Sequence, residues 1–159
     1  MSKAVLISIR PKWCEKIISG EKTIEVRKTR PKLIPQFKCY IYRSVQGGVI
    51  GEFVCDHIVE RIVRVGGNCE PPKYCICDWN MDCTPLDTLL ADACMKKDEL
   101  EKYLDGGIGY GWHISNLRIY DHPRDLWEFS GLQRETEFGL APKPITRPPQ
   151  SWRYVEEQI

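Results

Sequence analysis

Lys22, Glu25 and Arg27 place an ammonium, a carboxylate and a guanidinium within six residues. The run Thr23-Ile24-Glu25-Val26-Arg27-Lys28 alternates polar and apolar positions, which predicts a strand with Ile24 and Val26 facing one way. Glu25 and Arg27 then share the other face, about 7 Å apart. A carboxylate so placed can accept from an amino group or, with Lys22 beside it, act as general base on water. The guanidinium donates to carbonyl or phosphate oxygens. Arg10, Lys12 and Lys28 add cations that neutralise phosphates, and Trp13 or Trp112 offers a face on which a base can stack. Each residue also has a plainer reading. Glu25 can pair with Arg27 or Lys22 as a structural salt bridge. Trp13 falls on an apolar helical face with Ile17, and Trp112 can anchor the start of a strand after Gly109-Tyr110-Gly111. Lys28, Arg30 and Lys32 can form a solvated face.

The charge distribution agrees with a local basic site. The net charge is +1, which argues against a general polyanion binder. Residues 1–43, however, carry eleven Lys or Arg against three Glu, and residues 44–159 carry twelve against nineteen acids. If the early cations share one face they suit phosphate; the alternative is that the two regions pair and cancel.

Cysteine usage raises a separate possibility. Cys69, Cys75, Cys77 and Cys83 follow a Cys-x5-Cys-x-Cys-x5-Cys pattern. Four thiolates can hold a tetrahedral zinc, although structural zinc sites usually show Cys-x2–4-Cys knuckles. The other reading is a cysteine-rich surface insertion with reduced thiols. Apart from this zinc, no cofactor is expected. Cys39 and Cys55 lie in strand-like runs and read as small core residues. His57, His113 and His122 are scattered and suggest no relay.

These residues need elements to hold them. At 159 residues, 42% apolar and 28% charged, the chain is sized for one domain with one core. No apolar run approaches the roughly 18 residues of a membrane span, and the first hydrophobic stretch is too short for a signal peptide, so a cytoplasmic protein is expected. Ala4–Ile9 reads as a buried strand. Pro11 suits the first turn of a helix that Gly20 ends. Phe37–Arg43 and Val49–Val65 read as strands about the turn Gln46-Gly47-Gly48. Residues 66–83 read as a cysteine-rich loop. Thr84-Pro85-Leu86-Asp87 reads as a helix start with a Thr cap. Asp98–Leu104 reads as a short helix, Trp112–Tyr120 as a strand, the proline-rich stretch from Pro142 as extended, and Ser151–Val155 as a closing strand. Several strands with a few short helices predict a small, partly open β-barrel, of α+β class, with helices at its side.

Ser8-Ile9-Arg10-Pro11-Lys12-Trp13, followed by Ile17-Ile18-Ser19-Gly20-Glu21-Lys22-Thr23-Ile24-Glu25-Val26-Arg27, resembles the ASCH domain family of the PUA-like superfamily. The family pattern is a strand, a proline turn into a short helix, Gly-x-Lys, and a strand carrying Glu-x-Arg. Pro11, Trp13, Gly20, Lys22, Glu25 and Arg27 match it. Trp112-His113-Ile114-Ser115 and Pro149-Gln150-Ser151-Trp152 resemble segments of bacterial and phage-borne members. The resemblance implies a single domain over 1–159, with a variable cysteine-rich insertion at about 66–83. It implies binding of RNA or a modified nucleoside in a cleft beside the first helix, by Arg10, Lys12, Lys22, Glu25, Arg27, Lys28 and Trp112.

Enzymes also occur among proteins this chain resembles. Some small members are amidohydrolases on acetylated cytidine and pair a Lys with a Thr three residues later. Lys22 matches, but Glu25 stands in the threonine position, which leaves Lys22 and Glu25 as the catalytic pair; Thr23 is the nearby hydroxyl. A ribonuclease branch implies a basic cleft with a Lys and a Tyr or Ser, for which Lys22, Tyr42 and Ser151 are candidates. A third alternative is a phage-type protein-interaction module. No membrane partner is expected.

Overall fold

The computed structural model describes residues 2–65, 73–77, 83–136 and 139–159. Strand β1 (Lys3–Ile9) runs through the middle, and its apolar run is buried from Ala4 to Ile9. That pattern belongs to a strand covered on both faces. It pairs in parallel with β3 (Phe37–Arg43) and antiparallel with β10 (Trp152–Glu156), so the first and last strands lie side by side. Between them, Pro11 opens helix α1 (Pro11–Ile18), which buries Cys14 and Ile17. Gly20, at φ +82°, lets the chain turn from α1 into β2 (Ile24–Arg27).

Two long strands form the frame on which β2 sits. β4 (Val49–Val65) pairs with β3 and with the antiparallel β7 (Gly109–Arg124), and β7 pairs with β2. The register of β4 against β7 shifts several times, which bends both strands. Helices α2 (Asp87–Ala93) and α3 (Lys97–Leu104) pack Leu89, Ala93, Leu100 and Leu104 against Ile24 and Val26. No helix among the described residues is long and apolar enough to cross a membrane.

The described strands form one eight-stranded branched sheet, with a separate two-stranded sheet. No pairing among the described residues joins β10 or the far edge of the sheet to β2, so these pairings do not close a ring. The outcome is a mostly-sheet molecule with three short helices. The first elements lie where the sequence puts them. Three later segments differ.

Within the expected loop of 66–83, Lys73–Cys77 forms β5 against β4, and Cys83–Thr84 forms β6. Tyr74 is buried against the α2–α3 cluster, an apolar anchor that the cysteine spacing hides. Thr84 is therefore strand rather than helix cap, and α2 starts at Asp87 after Leu86. The stretch after Phe129 is a hairpin of β8 (Ser130–Thr136) and β9 (Gly139–Pro144). Prolines fit there because each strand of a two-stranded sheet has an edge free of ladder bonds.

Gly51 leaves no room for a side chain between β4 and β7. A Cβ there would lie 2.5 Å from the Arg118 carbonyl oxygen and 3.1 Å from the Ile119 Cα. Both are backbone atoms, so relief requires moving a strand. Gly51→Ala is expected to cost about 1–3 kcal/mol. The check is urea denaturation: the midpoint should fall with the slope unchanged.

Candidate ligand-binding cleft

Alternation along β2 does what the sequence demands of it. Ile24 and Val26 join the apolar cluster under α2 and α3, while Glu25 and Arg27 sit in register with Trp112 and Tyr110 of β7. Lys22, Glu25 and Arg27 meet, and all three are buried. Arg27 donates from Nε to Glu25 Oε1 at 3.2 Å. Its terminal nitrogens donate to the Ser8 carbonyl at 2.6 Å and to Ser151 Oγ at 3.2 Å. Lys22 Nζ donates to the Ala93 carbonyl at 2.7 Å and stands 3.6 Å from Glu25 Oε2. Burial pushes the Lys22 ammonium below its ordinary pKa, and the Glu25 charge pushes back.

One acceptor in this triad is left over. Glu25 Oε2 is buried and receives no hydrogen bond. Buried polar atoms are nearly always hydrogen-bonded, so a carboxylate oxygen with only the Lys22 ammonium at 3.6 Å beside it has room for a further donor.

That oxygen belongs to a residue lining a cleft of about 920 Å³, within the size range of small-ligand sites. Arg10, Lys12 and Trp13 contribute one wall at the start of α1, and Lys28 follows β2. Tyr42 comes from the end of β3, Glu99 and Tyr103 from α3, and Pro148 to Ser151 form a strap before β10. The strap is held down by Ser8, whose Oγ donates to the Pro149 carbonyl at 2.6 Å. Five cations (Arg10, Lys12, Lys22, Arg27, Lys28) face two carboxylates (Glu25, Glu99), an excess of three positive charges. Trp13 packs partly on the core, yet its ring also lies 4.6 Å from Lys12 Nζ and 4.8 Å from Lys22 Nζ. Trp13 therefore both packs on the core and lines the cleft.

No family model matches the sequence, and no curated protein matches it. Solved structures do match in shape. An ASCH protein from Zymomonas mobilis superposes with a TM-score of 0.55 at 18% identity, covering 97% of this chain and 88% of that one. A tyrosine-to-phenylalanine mutant of the Zymomonas mobilis protein gives 0.59 at 17% identity, covering 98% and 92%. A serine-to-alanine mutant gives 0.54 at 18%, covering 97% and 89%. This chain has an ASCH-like fold.

Within the ASCH-like frame, Arg10, Lys12, Lys22, Glu25, Arg27 and Lys28 all border the cleft. Trp112 does not, and its expected role in stacking is corrected. The indole is fully buried, edge-on to Phe37 and Trp152, with Nε1 donating to the Thr29 carbonyl at 3.3 Å. As the register partner of Glu25 it shares that residue's face of the sheet and lies beside it, but packed into the core rather than in the cleft. Thr23 is not a lining residue either; its backbone is used by Asp92 and Ile114.

Tyr42 and Ser151 do join Lys22 in the lining. Of the strap only Ser151 was a sequence candidate; Tyr103 and Pro148 to Gln150 reach the cleft through the placement of α3 and the hydrogen bond from Ser8. Of the cysteine group, Cys69 lies outside the described residues. Cys75 Sγ and Cys77 Sγ stand 3.3 Å apart on β5, and Cys77 pairs in register with Cys83. Cys39 and Cys55 are core residues, and burial pushes the Cys55 thiol up to about 12. His57 and His113, scattered in sequence, stack face to face at 4.4 Å. His122 is exposed.

Proposed function

We propose that the cleft binds single-stranded RNA or a modified nucleoside, one base at a time, with the base amino group donating to Glu25 Oε2. The unsatisfied, buried carboxylate oxygen carries this reading. A base on Trp13 or Tyr103 would bring its phosphates among Arg10, Lys12 and Lys28, and cations at such a rim bind phosphate through counterion release. In this reading the chain is one ASCH domain over 1–159, its sheet is a PUA-like barrel, and the region about 66–83 is an insertion.

Fluorescence anisotropy with labelled single-stranded RNA tests it. The expected result is saturable binding with a micromolar or lower Kd, weakening as salt rises. Lys12→Ala and Lys28→Ala, both exposed, should each flatten the salt dependence by roughly 0.7–1 in slope. Absence of saturable binding at low salt overturns the reading.

A second reading is favoured by Tyr42, Ser151 and Lys22 sharing the cleft. Two hydroxyls and an ammonium beside bound RNA are the parts of a phosphodiester-cleaving site. Running the same RNA on a gel separates the readings. Intact RNA supports binding alone, and fragments that disappear with Tyr42→Phe support cleavage. Hydrolysis of an acylated cytidine, with Glu25 as base and Lys22 beside it, requires turnover that is lost in Lys22→Ala.

A further inference from the structure

The register of β4 against β7 pairs Cys55 with Ile114 and Ile58 with Trp112. Asp56 and His57 on β4 therefore stand against the single residue His113 on β7. Two residues opposed to one is a β-bulge, a device that re-aims side chains. Strict alternation would send Asp56 and His57 to opposite faces, and the bulge turns both toward His113. His113 Nδ1 lies 2.6 Å from Asp56 Oδ1, and His57 Nδ1 lies 3.2 Å from the same oxygen. The two imidazoles stack with 19° between their planes. One donor atom from each of the three residues lies within 4.8 Å of the others.

We propose that Asp56, His57 and His113 form a binding site for one divalent transition-metal ion of the zinc, cobalt or nickel class. Two imidazoles and one carboxylate suit that class, whereas calcium and magnesium call for a shell of oxygens. The two spacings to Asp56 are close to what such an ion needs, and the two imidazole donors, within 4.8 Å of each other, must draw in toward it. Bonds of about 2.0–2.1 Å in a tetrahedral site set neighbouring donor atoms about 3.3 Å apart. The His57–Asp56 separation already has this value. The His113–Asp56 separation must open by roughly 0.7 Å as the ion takes the place of their hydrogen bond.

Side-chain exposures of 57% for His57, 30% for His113 and 31% for Asp56 give the ion a route in from solvent. Three protein ligands leave the fourth position for water, the pattern of an open metal site. His113 is in register with Ile24, on the opposite face of β2 and β7 from Glu25 and Arg27, and none of the three ligands lines the cleft. The metal site is separate from the proposed RNA site.

The test is titration of the chelator-stripped, reduced full chain with cobalt(II) chloride, followed by visible absorption. The expected result is one saturable equivalent with a micromolar or lower Kd and a spectrum of nitrogen and oxygen ligation. Asp56→Asn and His113→Ala should each weaken it by roughly tenfold or more, with unchanged circular dichroism and unchanged RNA anisotropy. Two results overturn the proposal. One is the absence of a saturable signal. The other is a thiolate-to-cobalt charge-transfer band as the only signal, unchanged in His113→Ala, which assigns the metal to the cysteines.

Discussion

Trp112→Ala is expected to remove about 3–5 kcal/mol of folding stability, the range for deleting a large buried aromatic. The indole has no exposed surface, touches Phe37 and Trp152 edge-on, and ties its Nε1 to the Thr29 carbonyl. Removing it opens a cavity directly beside Glu25, lets Phe37 and Trp152 lose a partner each, and leaves the Thr29 carbonyl to find another donor. Loss of this size is a large fraction of the stability of an ordinary domain. Urea denaturation reads it directly. RNA anisotropy on the fraction still folded completes the experiment. A variant of wild-type stability that no longer binds RNA would mean that the indole leaves the core to meet the ligand, contrary to the placement described above. Trp13→Ala should behave in the opposite way, losing binding with a smaller loss of stability, because its ring is only half-buried and faces the cleft cations.

The two tryptophans show how far sequence reaches here. Periodicity places Trp13 on a helical face and Trp112 at a strand start, but it does not say which side of that strand meets the core. That is decided by the β2–β7 register, a contact between segments far apart in the chain. Lys22, Glu25 and Arg27 were legible because their spacing is local: a turn and a two-residue repeat place them whatever the rest of the chain does. Ser151 was a candidate from the resemblance, whereas the rest of the strap from Pro148 and the Tyr103 wall depend on non-local packing that no short-range pattern encodes. The Asp56–His57–His113 cluster was hidden for a related reason. A bulge breaks the alternation from which side-chain facing is read, so period-two logic assigns Asp56 and His57 to opposite faces. The Tyr74 strand was hidden by its own composition, since cysteine spacing drew the reading toward a metal loop while the alternate apolar residues built a strand.

Glu25 is where stability and binding can be separated by two substitutions. Glu25→Ala is expected to cost about 3–5 kcal/mol, because it leaves the buried Lys22 and Arg27 charges without their common counter-charge. Glu25→Gln keeps the volume and an acceptor for Arg27, so it should fold, but it replaces a charged acceptor with a neutral one. A hydrogen bond to a charged group contributes about 1.5–3 kcal/mol, so RNA whose base amino group meets Oε2 should bind roughly 10- to 100-fold more weakly. The pH dependence gives a second readout.

Lys22 is held below its ordinary pKa in the folded chain, so between the folded and unfolded pKa values the unfolded chain binds more protons. Stability from this group therefore rises as pH climbs through the folded pKa toward the ordinary lysine value. Removing the Glu25 charge lowers the folded pKa further and widens that window on its acid side. Denaturation midpoints of Glu25→Gln should therefore climb more steeply between neutral and alkaline pH than those of the parent. Parallel pH curves for the two proteins would show that the Glu25 carboxylate does not neutralise Lys22. Unchanged RNA affinity would mean that the carboxylate oxygen without a hydrogen bond faces no ligand.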